Sequence, residues 1–417
     1  MKISIVASGS RGDVQPYIAL GKGLKNAGYT VRVLTSDDFR SLVVEAGLAF
    51  SSAGESVEAV LQSEKWRKLM ESGNFLAILR AMTSAMKERA HTLAQHMPGL
   101  LEGTDLIVTG MGGMGGTFSI AEKLAIPVIQ AYVFPITPTR AFPSPLTPRL
   151  PFGTMLNRLS FLPMRQMLWQ TTRVADSATR KVLGMPRASF FGPFAALQQK
   201  QVPILYGYSR HVLPQPSDWG ALTHVTGYWF LDPPADWVPP ADLSHFLQAG
   251  SAPIYIGFGS MGNRNPEETT RLVLEALRLS GQRGVLASGW GGMSQTDLPD
   301  MVHMLDSVPH SWLFPRMAAV VHHGGAGTTA AGMRAGVPSI IVPFFGDQPF
   351  WGQRAAQLGV GPVPTAKKRL TAEKLAHSIT QAVNDNVMRQ RAADLGEKIR
   401  LENGVSQAAS LLEKLVS

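Results

Sequence analysis

Two short segments of this sequence hold side chains that could act together on a substrate. In the first, Ser10, Arg11, Gly12 and Asp13 follow the apolar run KISIVAS. A carboxylate held in such a turn can take the proton of a hydroxyl as that oxygen attacks an electrophile. At its unperturbed pKa of about 3.9, aspartate is a weak base toward an alcohol, so it must act late in the reaction or be raised by desolvation. The plainer reading of Asp13 is a cap for the helix beginning near Pro16. In the second segment, the apolar run AAVVHH passes into Gly324, Gly325 and Gly327, and Thr328 and Thr329 then open a helix. Free backbone N–H groups and the positive end of the helix dipole would there face an anion, which glycine allows to come close. His323 can donate one more hydrogen bond to a phosphate oxygen. The alternative is a strand–turn–helix joint whose glycines serve packing alone. His322 faces the other side of the strand, so a two-histidine metal site is not expected. The sequence also has no Asp-x-Asp pair to hold a catalytic metal.

Each segment needs a strand that ends in its turn and a helix that starts there. Strand-like runs occupy 2–8, 30–35 (TVRVLT), 105–110 (DLIVTG) and 127–133 (PVIQAYV). Between them, Phe75, Ile78, Leu79, Met82 and Met86 fall at helical spacing. The pattern restarts at 252–263 (APIYIGFGSMGN), followed by a helix and the runs RGVLAS, HMLDSV, AAVVHH and SIIVPF. Strands alternating with helices predict parallel sheets. The expected fold class is therefore α/β: two Rossmann-like doubly wound domains facing across a cleft, with ligands beyond the carboxyl ends of the strands. The expected division is 1–231 as a first domain, 232–251 as a proline-rich linker and 252–400 as a second domain. A C-terminal helix over 401–417 is expected to return to the first domain.

Apolar residues make up 45% of the 417 and charged residues 17%, which excludes a disordered chain. The absence of cysteine excludes disulfides, thiolate metal sites and cysteine nucleophiles. The N-terminal apolar run is too short for a signal-peptide core and no 18-residue apolar stretch occurs, so the expectation is a soluble cytoplasmic chain. The net charge of +9 lies wholly in residues 1–230, which hold 23 Lys and Arg against 14 Asp and Glu; residues 231–417 hold 16 of each. Such asymmetry suggests an acidic partner, against a generally basic surface as the alternative. The stretch 137–173 has five arginines, no acid and six prolines, with Phe142, Phe152 and Trp169 interleaved. It reads as a long irregular loop suited to a hydrophobic acceptor tunnel or an anionic membrane surface, where Arg149 and Arg158 would meet lipid phosphates. A buried connection is the plain alternative. No recognised motif accompanies the charge, so nucleic acid is not an expected partner. GMGGMG at 110–115 fits the dinucleotide fingerprint, but no acidic residue ends the next strand to bind a ribose. The preferred reading of these glycines is that they keep this wall of the cleft close to a bound ligand.

Four segments together carry a resemblance: GSRGDVQP at 9–16, GFGS at 257–260, DSVPHSWLF at 306–314 and the stretch 322–361 from HHGGAGTT through FFGDQPF. They resemble nucleotide-sugar glycosyltransferases of the GT-B fold, in the branch that holds sterol 3β-glucosyltransferases and bacterial transferases of antibiotic aglycones. The resemblance covers nearly the whole chain. It implies that His323, Gly325, Gly327 and Thr328 hold the donor diphosphate, helped by Ser260 and by Ser10, Arg11 and Gly12. It further implies that Asp347 and Gln348 bind sugar hydroxyls and that Ser307 and Val308 meet the nucleobase through their backbone. Asp13 matches the general base, a position where many plant and animal relatives carry histidine. The plant enzymes of the wider superfamily stack a tryptophan on uracil, and LDSV at 305–308 has none, so UDP and dTDP are harder to tell apart. The implied reaction is an inverting, metal-independent transfer of glucose from UDP-glucose to a hydroxyl of a lipophilic acceptor such as a sterol, polyphenol or polyketide. The nucleotide sugar is a co-substrate, and no other cofactor is expected. A nucleotide-sugar epimerase of the same fold and a non-catalytic sugar-nucleotide-binding protein stand as alternatives.

Overall fold

Runs of β-branched and aliphatic residues become short strands, each followed by a turn and a helix that covers the sheet. The computed structural model describes residues 1–54, 69, 75–147, 153–258, 266–288 and 298–416. Ser260, Arg149 and Phe152 lie outside the described residues. The chain forms two compact units: one holds residues 1–54, 75–231 and 403–416, the other spans Asp232–Glu402.

The first unit holds β1 (Lys2–Val6), β2 (Thr30–Thr35), β3 (Ala49–Ser52), β4 (Leu106–Thr109), β5 (Val128–Tyr132), β6 (Ile204–Tyr206) and β7 (Thr223–Val225). Their order is β3-β2-β1-β4-β5-β6-β7, and every neighbouring pair is parallel. Val6 is in register with both Leu34 and Thr109, so β1, β2 and β4 end close to one level. The order reverses between β1 and β4, which makes that sheet end the switch point where a doubly wound fold takes its ligand. Helix α1 (Arg11–Asn26) leaves the β1 turn and buries Val14, Ile18 and Leu24. Helices α2 (Phe75–Leu101) and α3 (Thr117–Leu124) follow.

The stretch 137–173, expected as irregular, is helical in its second half: α4 (Thr154–Leu159) and α5 (Phe161–Val182). The reason lies in where its prolines fall. Five precede α4, and Pro163 sits in the first turn of α5, where a missing N–H breaks no helical bond. Helix α5 turns Phe161, Met164 and Trp169 into the protein. Trp169, expected at an acceptor or membrane surface, is only 1% exposed and packs against Gly192.

The second unit holds β8 (Ile254–Gly257), β9 (Gly284–Ala287), β10 (Val302–Leu305), β11 (Ala319–His322) and β12 (Ser339–Ile341), ordered β10-β9-β8-β11-β12 and all parallel. Its switch point falls between β8 and β11. Helices α6 (Pro266–Ser280), α7 (Ala326–Ala335), α8 (Gln348–Leu358), α9 (Ala372–Asn384) and α10 (Asn386–Leu401) cover the sheet. Residues 232–251, expected as a linker, belong to this unit. The helix Ala241–Gln248 places Leu243 in a core cluster with Tyr255 and Leu313. The last helix, α11 (Gly404–Val416), sets Ala408, Ala409 and Leu412 into the core of the first unit beside Ile18 and Leu24. No described helix is long and apolar enough to cross a membrane.

Candidate active site

The turn after β1 is built around the Asp13 carboxylate. Gly9 has φ +131°, a conformation that L side chains rarely adopt. A Cβ at Gly9 would lie 2.5 Å from Asp13 Oδ2, so any other residue there would displace the carboxylate. Ser10 is the N-cap of α1, and both its N–H and its Oγ–H donate to Asp13 Oδ2 at 2.8 Å. Ser10 and Asp13 thus form a capping box. The cap reading of Asp13 and the base reading are compatible, because both bonds fall on one oxygen. Ser10, assigned by resemblance to the donor, has its hydroxyl on Asp13. Solvent reaches Asp13, yet the protein packed around the carboxylate raises its pKa by desolvation, more than the two bonds from Ser10 lower it. Arg11 and Gly12 are exposed on the same turn, and Arg11 Nε donates to Gln15 Oε1 at 3.1 Å.

Asp13 opens onto a small recess at the β1/β4 switch point. Ala7 and Ser8 come from the β1 turn, Met111 and Gly112 from the β4 turn, Tyr132, Val133 and Phe134 from the end of β5, and Tyr17 from α1. The mixture is mostly apolar, with one carboxylate. Tyr17 does not compete with that carboxylate, because its Oη–H donates to Ala131 O at 2.5 Å. Burial, and then the Asp13 charge, raise the Tyr17 pKa above its usual value. Packing requires glycine at 110 and 113. A Cβ at Gly110 would collide with Ala131 O and the Tyr17 hydroxyl, and one at Gly113 would lie 2.5 Å from the Thr109 side chain.

The second site lies where β11 meets α7. Gly324 has φ +91°, and a Cβ there would sit 2.6 Å from Ile341. Its N–H donates to Nδ1 of the fully buried His322 at 3.1 Å, so His322 shapes the turn from behind. Gly325 caps α7 with no side-chain bond, which leaves the first-turn N–H groups of Ala326, Gly327 and Thr328 without intrahelical acceptors. His323 is half-buried, with Nδ1 buried and unpartnered. Its Nε2 stands 2.5 Å from where a Cβ on Gly325 would be. Burial lowers its pKa to about 4, so the ring is neutral near pH 7 and offers one N–H. Backbone donors, a helix dipole and a neutral imidazole together suit an oxyanion of a phosphate.

Other expected donor contacts are placed as follows. Gln348 is buried, and its Oε1 accepts from the N–H groups of Phe344 and Phe345 at 2.8 and 3.2 Å. It therefore pins the turn that leads to Asp347. Asp347 is half-buried at the N-cap of α8, and its Oδ2 accepts from Trp351 Nε1 at 2.8 Å. Ser307 is exposed just beyond β10, while the Val308 side chain lies in the core. Phe142 is half-buried in an aromatic cluster with Phe161 and Trp219, and Arg158 is exposed. Among the described residues, no three or more His, Asp and Glu are grouped as metal ligands.

Residues 3–143 match the glycosyltransferase family 28 N-terminal domain, and residues 291–410 match the erythromycin biosynthesis protein CIII-like C-terminal domain. Two sterol 3-beta-glucosyltransferases of Arabidopsis thaliana are 38% and 36% identical over 99% of this chain. The chain belongs to the sterol 3-beta-glucosyltransferase family. It spans 65% and 68% of those two relatives, and 27% of a 36%-identical relative from Cryptococcus neoformans. Solved structures of antibiotic glycosyltransferases share the family's fold at low identity. A glycotransferase of kitacinnamycin superimposes with a TM-score of 0.73 at 19% identity, over 99% of this chain and 98% of its own. The Streptomyces glycosyltransferase SsfS6, solved with thymidine diphosphate, gives 0.64 at 19% identity over 99% of both chains. These two establish GT-B as the fold.

Proposed function

We propose that this protein is an inverting, metal-independent hexosyltransferase that moves glucose from UDP-glucose to a hydroxyl of a lipophilic acceptor, a sterol above all. The observation that carries the reading is Asp13, anchored through one carboxylate oxygen at the mouth of an apolar recess. The acceptor hydroxyl donates its proton to Asp13 as its oxygen attacks the anomeric carbon. The new bond joins that carbon to the acceptor oxygen, and the bond to the β-phosphate oxygen breaks. The nucleoside diphosphate leaves with its charge stabilised by the α7 N–H groups and His323, and the proton passes from Asp13 to solvent. A single displacement with one base inverts the anomeric centre. Family membership favours a UDP donor, while the thymidine diphosphate bound to SsfS6 makes dTDP-glucose the donor to compare. A sterol is scarcely soluble, so the enzyme works in the cytoplasm at a lipid surface.

The test is to incubate the protein with UDP-glucose or dTDP-glucose and micellar cholesterol, and to follow both substrates. The expected result is a steryl glucoside with equimolar UDP. Rearrangement or release of the sugar without acceptor would indicate an epimerase instead, and binding without turnover a sugar-nucleotide-binding protein.

A further inference from the structure

Helix α4 has no buried residue. Met155, Leu156 and Leu159 on it are exposed, Met155 by 74%. Ser160, at the joint with α5, keeps right-handed helical backbone, and its N–H donates to Leu156 O at 2.9 Å. The helical period therefore runs through the joint. Met155, Leu159, Leu162, Gln166, Gln170 and Arg173 follow at steps of three and four and share one face, away from buried Phe161, Met164 and Ala175. Gln166 and Gln170 both donate to Phe190 O, at 3.1 and 3.2 Å, and the Arg173 guanidinium lies 5.3 Å from the Phe190 ring. The Phe190–Phe191 pair, edge to face and 56% and 74% exposed, is thus mounted on the same face.

The charge around this face is mainly positive. Residues 137–200 carry nine Lys and Arg and a single acid, Asp176. That acid is buried, bonded to Ser119 and paired with Arg180. Outside this stretch, Glu122 pairs with Arg180 and Lys200, and the Asp218 carboxylate, which accepts from Thr139 Oγ1 and Arg140 N–H, feels the Arg158 charge; Arg173 and Arg187 add to the positive excess. Exposed Leu, Met and Phe beside an excess of arginine form the pattern of a segment that lies in an anionic headgroup layer. A two-fold contact with a second copy would set like charges against each other.

We propose that the face of α4 and α5 capped by Phe190 and Phe191 is a docking surface for an anionic lipid bilayer. It rests on the lipophilic-acceptor reading for its purpose, which is to hold the enzyme where such acceptors dissolve. Arg158, Arg173 and Arg187 meet the lipid phosphates, while the apolar side chains enter the boundary between headgroup and acyl chain.

The experiment is co-sedimentation of the full chain, without substrates, with vesicles of phosphatidylcholine alone or mixed with phosphatidylglycerol. An apolar variant carries Met155→Ser, Leu159→Ser, Leu162→Ser, Phe190→Ser and Phe191→Ser. A charge variant carries Arg158→Gln, Arg173→Gln and Arg187→Gln. Apart from the half-buried Arg173, these side chains are exposed, so unchanged melting is the control; should the apolar variant melt early, Met155→Ser with Phe191→Ser replaces it, and should the charge variant melt early, Arg158→Gln with Arg187→Gln replaces it. Wild type should bind only the anionic vesicles, less so at high salt. The charge variant should partition on the order of 100-fold more weakly, and the apolar variant at least about tenfold. Absent binding, or equal binding in all three proteins, overturns the proposal. So does a concentration-dependent dimer that the apolar variant abolishes. Transfer to a water-soluble alcohol separates the two readings: wild type that transfers but does not bind vesicles loses the surface and keeps the function, and the converse result does the reverse.

Discussion

At Asp13, one oxygen holds the geometry and the other can do the chemistry. Both Ser10 donors fall on Oδ2, so the base is oriented without being fully occupied. Desolvation raises its pKa, and it accepts a proton only when ionised. The rate should therefore be level at high pH and fall as pH drops through a pKa above the usual carboxylate range. Ser10→Ala deletes a bond that favours the charged form, so the acid limb of kcat/KM should move to higher pH; an unmoved limb would mean that Ser10 only caps the helix. Asp13→Asn should keep donor affinity while kcat falls by roughly 10²–10⁴, as measured by calorimetry and initial rates. The place of Asp13 in a glycine-rich turn after a strand is legible in the sequence, whereas its role as base rests chiefly on the resemblance. Its anchor was not read, although Ser10-x-x-Asp13 carries the capping-box spacing that could have found it. Gly9 could not be read either, since its necessity comes from the third-dimensional approach of a carboxylate.

At the scale of elements, the proposed phosphate seat is a helix N-terminus with an imidazole beside it. A hydrogen bond to a charged group contributes roughly 1.5–3 kcal/mol, so His323→Ala should weaken UDP by about 10- to 150-fold in titration calorimetry. Gly325→Ala should weaken UDP as well, because its Cβ would displace the His323 ring. Unchanged affinity in both variants would move the diphosphate elsewhere. This element was legible because strand, glycines and helix opening are consecutive. The three-residue strands β6 and β7 were not, because such short runs carry no periodicity and owe their pairing to the neighbouring strand, β5 for β6 and β6 for β7. Helices α4 and α5 were obscured by prolines counted over the whole stretch rather than by position. Trp169 shows the same limit: its type suggested a surface anchor, but its place on α5 puts it inside.

At the scale of the whole molecule, the repeated strand–turn–helix pattern predicts two doubly wound sheets, and the parallel orders follow from it. The linker was misjudged because DPPADWVPPAD reads as loop, whereas Leu243 just beyond it is fully buried. The C-terminal helix closes the core of the first unit. Leu412→Ala should therefore cost about 2–5 kcal/mol in urea unfolding; a loss under 1 kcal/mol would detach that helix from the core. The proposed catalysis is a single in-line displacement with Asp13 as base. The most direct test is to follow the anomeric proton of the product by NMR during transfer from α-linked UDP-glucose to a sterol, in the presence of EDTA. The predicted result is a β-linked steryl glucoside from the first turnover, undiminished by the chelator. An α-linked product, or transfer that stops until a divalent metal is restored, would contradict it.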